Sequence, residues 1–311
     1  MKKTAVIVVL IFAVLVLVAA KYDYLLEMGD KTVKSSECNK CHKVIYDEWS
    51  MNFHAKAYTN DPFKKASKDY KARECIDCHA AQQIGEEQAL KIRSVHIEEG
   101  INCATCHLRN NMIYGPYKLI AKHNAEQDES MLKSEFCAGC HSSTYNEWQS
   151  SGAKKTCQEC HMPRVEGKLV QGFPLSFLVP KRMMGQHLQI YEGLLKEAAL
   201  ITGATRKDSL KVSLTNKGEG HNMPTGKYGN YRIILKTIVK DLNGKEIISK
   251  EEIFSNLKGS GVPSQKTVVF EYPISFEIGK HYEVRSTLSY KVEGRSERLM
   301  ATWGSDIVGT Q

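Results

Sequence analysis

One pentapeptide pattern occurs five times in this chain: two cysteines separated by two residues, with a histidine directly after the second cysteine. The cysteines are Cys38, Cys41, Cys75, Cys78, Cys103, Cys106, Cys137, Cys140, Cys157 and Cys160. The histidines are His42, His79, His107, His141 and His161. Two thiols at this spacing add to the two vinyl groups of one porphyrin, and the next residue then presents an imidazole nitrogen to the iron. The pattern predicts five covalently attached c-type haems, with these histidines as proximal iron ligands.

Other uses of paired cysteines fit this pattern less well. A zinc ribbon needs no histidine directly after each pair, and a disulfide scaffold does not space every pair alike. The 11 histidines in 311 residues are too few for five of them to follow a cysteine pair by chance. We therefore favour haem over zinc sites, redox dithiols and disulfides.

The sixth coordination position of each iron decides what such a protein does, because only an iron with an open face binds a substrate. Of the 11 histidines, six lie outside the five motifs, one more than five closed haems require. The predicted distal iron ligands are His54, His96, His123, His187 and His221. His281 follows a Gly-Lys pair at a predicted strand start, and we expect it to be the spare, solvated histidine.

Two predicted distal ligands have informative neighbourhoods. His54 lies 12 residues after His42. If the intervening run is helical, the two are separated by about 18 Å, so His54 is expected to close a haem other than the one attached beside it. His221 lies in the loop 220–226, whose glycines and proline impose a fixed backbone shape. We expect this loop to reach back and close a haem.

The segment that carries the motifs has too little chain per haem to build an ordinary side-chain core. The first cysteines of the motifs lie at positions 38, 75, 103, 137 and 157. The porphyrins must therefore form the interior, covered by short helices and loops. We predict a haem domain over 21–185, with each motif starting or lying within a short helix and little or no sheet.

Part of this segment is repeated at an offset of 99 residues. The cysteines, histidine, tyrosine, glutamate and tryptophan of 38–49 recur at matching positions of 137–148. The match indicates a duplicated haem-binding unit. The second copy has Ala153 where the first has His54, which is the best argument in the sequence for one open haem.

The pattern of apolar residues changes towards the C-terminus. A helical spacing predicts a connecting helix over 186–206. Period-two alternation then begins at Leu210, and residues 241–244 (Asp-Leu-Asn-Gly) are a strong hairpin-turn signal. Region 207–305 contains no cysteine and is predicted to be an antiparallel β-sandwich-like domain, followed by a tail over 306–311. The predicted fold class is α+β.

The N-terminus has the pattern of an export signal: Lys2 and Lys3 precede an apolar run over 5–20. We predict a signal peptide over 1–20 in preference to a retained membrane anchor, which would be the basis of any membrane contact. Either form places the rest of the chain in the periplasm or elsewhere outside the cytoplasmic membrane. The net charge is +8, but five haems add ten propionates and the lysines form no dense run, so we exclude nucleic acid as a partner.

The region 38–165 resembles the cytochrome c-554 family of multihaem proteins. The resemblance rests on the run 38–54 with its tryptophan and downstream histidine, on the segment 96–107, and on the Met-Pro pair after the fifth motif. Asn52 stands where the family usually has a serine two residues before its distal histidine. The resemblance implies closely stacked haems that pass electrons in the periplasm or at the cell exterior. Family members usually carry four haems.

Three functions are compatible with these features. Closed bis-histidine irons favour single-electron transfer, with redox partner proteins as donor and acceptor, and this is the preferred prediction. A reductase of a small nitrogen or sulfur compound needs one open iron. Pentahaem nitrite reductases are the obvious comparison, but they are longer and usually have a lysine as proximal ligand in one motif. The third alternative is a homo-oligomer, as the subunit of an extracellular cytochrome filament. No catalytic residue is predicted.

Overall fold

The computed structural model describes residues 11, 14, 33–84, 89–118, 125–172, 175–206 and 208–309. The predicted signal or anchor over 1–20 lies outside the described residues except for Ile11 and Val14, and the predicted distal ligand His123 lies outside them as well. No helix in the described part of the chain combines the length and the apolar character that a membrane crossing requires.

Short helices and shorter strands make up the part of the chain that carries the motifs. The helices are α1 Ser35–Asn39, α2 Lys43–Met51, α3 Asp61–Ala66, α4 Arg73–His79, α5 Cys103–His107, α6 Glu135–Ala138, α7 Ser142–Ser151, α8 Cys157–His161 and α9 Leu175–Leu178. The strands are β1 Leu108–Arg109, β2 Met112–Gly115, β3 Ala125–Gln127, β4 Arg164–Gly167 and β5 Arg182–Gly185. The first cysteine of every motif lies in a helix (α1, α4, α5, α6 or α8), which confirms the predicted helices. Strands β1, β2 and β3 form a small sheet, however, in a region where little or no sheet was expected.

Side-chain caps start two of the motif helices. The amide oxygen of Asn102 accepts from the backbone N–H of Thr105 at the start of α5. Thr156 and Glu159 form a reciprocal capping box at the start of α8. Helices of five residues are too short to be stable alone in water. Their stability must therefore come from the groups packed against them.

The C-terminal region is built from long antiparallel strands. After a short helix, α10 Glu192–Glu197, the strands are β6 Ala199–Arg206, β7 Ser209–Asn216, β8 Tyr231–Asp241, β9 Glu246–Ser255, β10 Thr267–Pro273, β11 His281–Val292 and β12 Arg298–Val308. One sheet has the order β10-β7-β6 and the other has the order β12-β11-β8-β9. All neighbouring strands in these two sheets are antiparallel, as predicted.

Alternating apolar side chains of the two sheets form one core. Leu210, Val212 and Leu214 of β7 are fully buried, as are Leu235 and Leu288 of the other sheet. Burial of each such side chain contributes about 1.5–3 kcal/mol, so this core is the main source of stability for the region.

The predicted hairpin turn between β8 and β9 is confirmed. The carboxylate of Asp241 accepts from the backbone N–H groups of Asn243 and Lys245 at 2.9 and 3.0 Å. Gly244 has φ +78°, a left-handed conformation that suits glycine.

The predicted helix over 186–206 is wrong for most of its length. Helix α10 covers only Glu192–Glu197, and the following residues form strand β6, paired with β7. Ala199 and Ile201 are buried while Leu200 between them is exposed, which is a period of two. The apolar spacing of so short a segment fits both periods, and pairing with β7 decides between them.

The chain divides into two compact units. The first comprises the described residues within Met1–Asn60, Ser67–Phe136 and Glu166–Met184, and it contains motifs one to three. The second comprises the described residues within Asp61–Ala66, Cys137–Val165 and Gly185–Gln311. Motifs four and five therefore share a unit with the β-sandwich. The domain boundaries given in the sequence analysis remain predictions.

Candidate haem sites

Four of the predicted proximal histidines hold their rings in the same way. Nδ1 of each contacts a backbone carbonyl oxygen: Leu169 for His42 (2.8 Å), Ala57 for His79 (2.7 Å), Tyr114 for His107 (2.8 Å) and Gln189 for His161 (3.0 Å). Because a carbonyl only accepts, Nδ1 must carry the proton, and the lone pair remains on Nε2. This is the tautomer that an axial ligand of a haem iron requires.

Burial keeps these four imidazoles neutral. It lowers the pKa of His42, His79 and His107. Burial and the neighbouring His221 lower the pKa of His161 to about 4. A neutral imidazole can donate its lone pair to a metal and a protonated one cannot. The four side chains are therefore in the form that binds iron at neutral pH.

The rings of His161 and His221 lie close together and nearly parallel in the second unit. Their centroids are 6.0 Å apart and their planes differ by 15°. Two metal–nitrogen bonds of about 2 Å each, plus about 1 Å from each nitrogen to its ring centre, give about 6 Å for two imidazoles on one metal. Nδ1 of His221 lies 2.8 Å from the carbonyl oxygen of Asn222, which again leaves Nε2 for the metal. Cys157, Cys160, His161 and His221 would together hold the haem of the fifth motif.

The repeated tryptophan makes the same hydrogen bond in both copies of the duplicated unit. The indole N–H of Trp49 donates to the carbonyl of Ile101, and that of Trp148 donates to the carbonyl of Lys155, both at 2.8 Å. Each acceptor lies two residues before the first cysteine of a motif, the third motif in one copy and the fifth in the other. The structural repeat therefore comprises two motifs, with the second motif inserted into the first copy.

Comparison with known proteins agrees with this arrangement. Residues 37–108 match the family described as cytochrome c554 and c-prime, and residues 89–162 match the family described as cytochrome c7 and related cytochrome c. This chain is a multihaem c-type cytochrome. The resemblance found in the sequence is thereby confirmed. No curated protein sequence matches the chain.

Solved structures extend the comparison to the fold of the cytochrome. A penta-haem cytochrome c552 from Thermochromatium tepidum is similar over 89% of this chain and 99% of its own, with a TM-score of 0.64 and 19% identity. At that identity the likeness concerns the fold alone. A hypothetical protein from Pyrococcus horikoshii covers 36% of this chain and 86% of its own at 12% identity and a TM-score of 0.23. A family 2 glycosyl hydrolase from Bacteroides cellulosilyticus covers 36% and 14% at 12% identity and a TM-score of 0.21. TM-scores of this size carry no weight.

In the first unit of the cytochrome, the first and third motifs meet through their cysteines. A hydrogen bond between the side chains of Cys38 and Cys103, together with burial, raises the pKa of the Cys38 thiol. The carboxylate of Glu99 accepts from the N–H and hydroxyl of Ser35 in α1 at 3.1 and 3.0 Å, and from the amide of Asn102 at 3.0 Å. The predicted attachment points of these two haems are therefore adjacent.

Arg93 fixes the loop that carries His96, and sequence analysis did not identify this residue. Arg93 is only 5% exposed. Its guanidinium donates at 2.8 to 3.1 Å to the carbonyl oxygens of Ala81, Val95, His96 and Gly100, and to side-chain oxygens of Asn102 and Thr105. These acceptors belong to the end of the second motif, the His96 loop and the third motif. One buried cation thus joins three segments, which no local sequence pattern reveals.

The remaining predicted ligands occupy different places. His54 and His96 are half-buried in the first unit, where Gly100 (φ +61°) allows the two loops to approach: the N–H of Ile101 donates to the carbonyl of His54 at 3.0 Å. His187 is half-buried in the second unit, with Nδ1 3.2 Å from the carbonyl of Gly185. His281 is exposed at the start of β11, as predicted.

Proposed function

We propose that this cytochrome carries five c-type haems and transfers single electrons outside the cytoplasm. The observation that carries the proposal is the His161–His221 pair, because two imidazoles on the iron of the fifth haem would leave no position there for a substrate. A c-type haem supplies a one-electron redox centre when bound. The protein's contribution is to attach it, to supply neutral axial ligands and to exclude other ligands from the metal.

Five attachment sites follow from the five motifs. Each would hold its haem through its two cysteines and its own histidine, and the Nδ1–carbonyl contacts of four of those histidines support this. His221 is proposed as the distal ligand of the fifth haem. His54, His96, His123 and His187 are proposed as the distal ligands of the other four.

Contact between motifs supports electron transfer between neighbouring sites. The side chains of Cys38 and Cys103 touch in the first unit. In the first copy of the repeat, burial and then His42 of the first motif lower the pKa of His107 of the third motif. In the second copy, burial, then His221, then His141 of the fourth motif lower the pKa of His161 of the fifth motif. Short separation between sites is what a chain of single-electron steps needs. Redox proteins of the same compartment are the proposed donor and acceptor.

The test is a haem count combined with the spin state of the iron. Pyridine haemochrome titration of the purified protein should give five c-type haems per chain, and two or fewer would contradict the proposal. Electron paramagnetic resonance of the oxidised protein should show low-spin iron only. A high-spin signal equal to one haem per chain would instead support a reductase with an open iron. Fractionation of cells that express the full chain should place the haem outside the cytoplasm.

A further inference from the structure

The side chains on one face of helix α7 contact the loop that carries His221. The residues on this face are Thr144, Glu147, Trp148 and Ser151, spaced as neighbours along a helix surface. The hydroxyl of Thr144 lies 3.1 Å from that of Thr225, and the hydroxyl of Ser151 donates to the carbonyl of Glu219 at 3.0 Å. Both ends of the loop are thus attached to the helix that follows the fourth motif.

Trp148 and Gly220 come close between these two attachments. A Cβ atom on Gly220 would lie 3.0 Å from Cδ1 of the indole, so a larger residue would press against the ring. From the side of the β-sandwich, the amide of Asn216 donates to the carbonyl of His221 at 3.0 Å and to that of Val262 at 2.9 Å. Asn216 is only 2% exposed, so this contact is shielded from water.

Glu147 binds the residue directly after the histidine. One oxygen of its carboxylate accepts from the backbone N–H of Asn222 at 2.9 Å and from the hydroxyl of Thr225 at 2.7 Å. The carbonyl of the same Asn222 is the partner of Nδ1 of His221. The carboxylate and the imidazole are therefore bound to the same residue, one through its N–H and the other through its carbonyl.

We infer that Glu147 is the positioning residue that holds His221 in its axial place, an inference that rests on the proposed ligation by His221. Hydrogen bonds to an ionised acceptor are about twice as strong as those between neutral groups. Glu147 is the charged member of the helix face and binds two donors of the loop. By fixing Asn222, it fixes the carbonyl that sets the orientation of the ring and the basicity of Nε2. The helix that follows the fourth motif thereby controls the distal ligand of the fifth.

The test compares variants of the full-length holoprotein. In His221→Ala, one haem of the five should become high-spin and bind carbon monoxide after reduction. In Glu147→Ala, the same haem should bind carbon monoxide at least about tenfold faster than in the unchanged protein, because two charge-assisted hydrogen bonds are lost. Glu147→Gln keeps an acceptor oxygen, so its rate of carbon monoxide binding should be close to that of the unchanged protein. Asn146→Ala, at an exposed position on the same helix, should have no effect.

The double variant Glu147→Ala/His221→Ala identifies the haem concerned. In this variant one haem should be high-spin and bind carbon monoxide, as in His221→Ala alone, because both substitutions act on the same iron. Two open haems would overturn the inference. The inference would also be overturned if Glu147→Ala bound carbon monoxide at the rate of the unchanged protein while His221→Ala bound it faster.

If His221→Ala changes neither the spin state nor carbon monoxide binding, the proposed ligation by His221 is rejected. Failure of the proposed ligation and failure of the inference on Glu147 are therefore distinguishable. If Glu147→Ala does not accumulate as folded protein, Thr225→Val removes one of the two loop donors and takes its place. A smaller rise in the rate at one haem is then expected, and an unchanged rate would overturn the inference.

Discussion

The rings of His161 and His221 lie 6.0 Å apart between centroids and within 15° of parallel. One of these residues completes the fifth motif, and the other lies in a loop between strands of the β-sandwich region. In the proposed arrangement, the sandwich contributes a side chain to a haem site of its own unit. The C-terminal region would then have a direct function in the redox centre.

His221→Ala should convert one haem to the high-spin state without loss of covalent attachment. The thioether bonds and His161 remain, so the haem count by pyridine haemochrome should stay at five while a high-spin resonance signal appears. His281→Ala is the matched control, because His281 is exposed and predicted to be spare. An unchanged spectrum for His221→Ala would remove this residue from the set of ligands, and a high-spin signal for His281→Ala would contradict its assignment as the spare.

Arg93→Met should destabilise the first unit by about 3–5 kcal/mol, because hydrogen bonds to a buried charged group are lost and their acceptors are left unpaired. Arg93→Lys should recover part of this loss, since an ammonium keeps the charge but has fewer donors. Arg285→Met is the control: its side chain is 67% exposed, and a change within about 0.5 kcal/mol is expected. Denaturant unfolding followed by visible circular dichroism of the haems measures the difference. Equal effects of Arg93→Met and Arg285→Met would contradict the anchoring function of Arg93.

The two repeated tryptophans offer a matched pair of substitutions. Trp49→Phe and Trp148→Phe each remove one indole hydrogen bond to a carbonyl. The acceptor residue Ile101 is 8% exposed, whereas Lys155 is exposed. A buried carbonyl without a partner costs about 1–3 kcal/mol, and one that water can reach costs less. The first substitution should therefore lower the free energy of unfolding more than the second. The reverse order, measured by the same unfolding experiment, would argue against equivalent bonds in the two copies.

Gly100→Ala should lower the free energy of unfolding for two reasons, which a control variant separates. Gly100 has φ +61°, and a Cβ atom there would lie 2.4 Å from the carbonyl oxygen of His54. Gly152 has φ +71° with nothing within 4 Å of its Cβ position. Gly152→Ala should thus show only the left-handed backbone cost of about 1 kcal/mol. Gly100→Ala should exceed it by about 1–3 kcal/mol, the usual cost of overpacking. Thermal unfolding of both variants provides the comparison, and equal losses would mean that the His54 loop moves aside freely.

The sequence predicted the parts of this protein that local patterns determine. Local residue patterns are enough to predict the five motifs and their short helices. They also predict the hairpin turn at Asp241 and the strand alternation that begins at Leu210. The strand Ala199–Arg206 was predicted as helix, because alanine and isoleucine at 199 and 201 fit both periods until β7 is known to pair with them.

The candidate sites depend on contacts between distant segments, and these had no signal in the sequence. Glu147 is 75 residues from Asn222, and Arg93 binds mostly backbone carbonyls, which carry no residue identity. The repeat of the tryptophan is evident in the sequence. The acceptors of its hydrogen bonds are not, because the backbone carbonyl of any residue can accept.

The tryptophan bonds of the two copies span very different lengths of chain: 52 residues separate Trp49 from its acceptor, and 7 residues separate Trp148 from its own. The entropy of closing a loop grows with the logarithm of its length, which makes the longer closure less favourable by about 2 kcal/mol. During maturation, the region around the fourth and fifth motifs is therefore expected to organise first. The region around the first and third motifs is expected to organise later, because the segment that carries the second motif lies inside its longer loop.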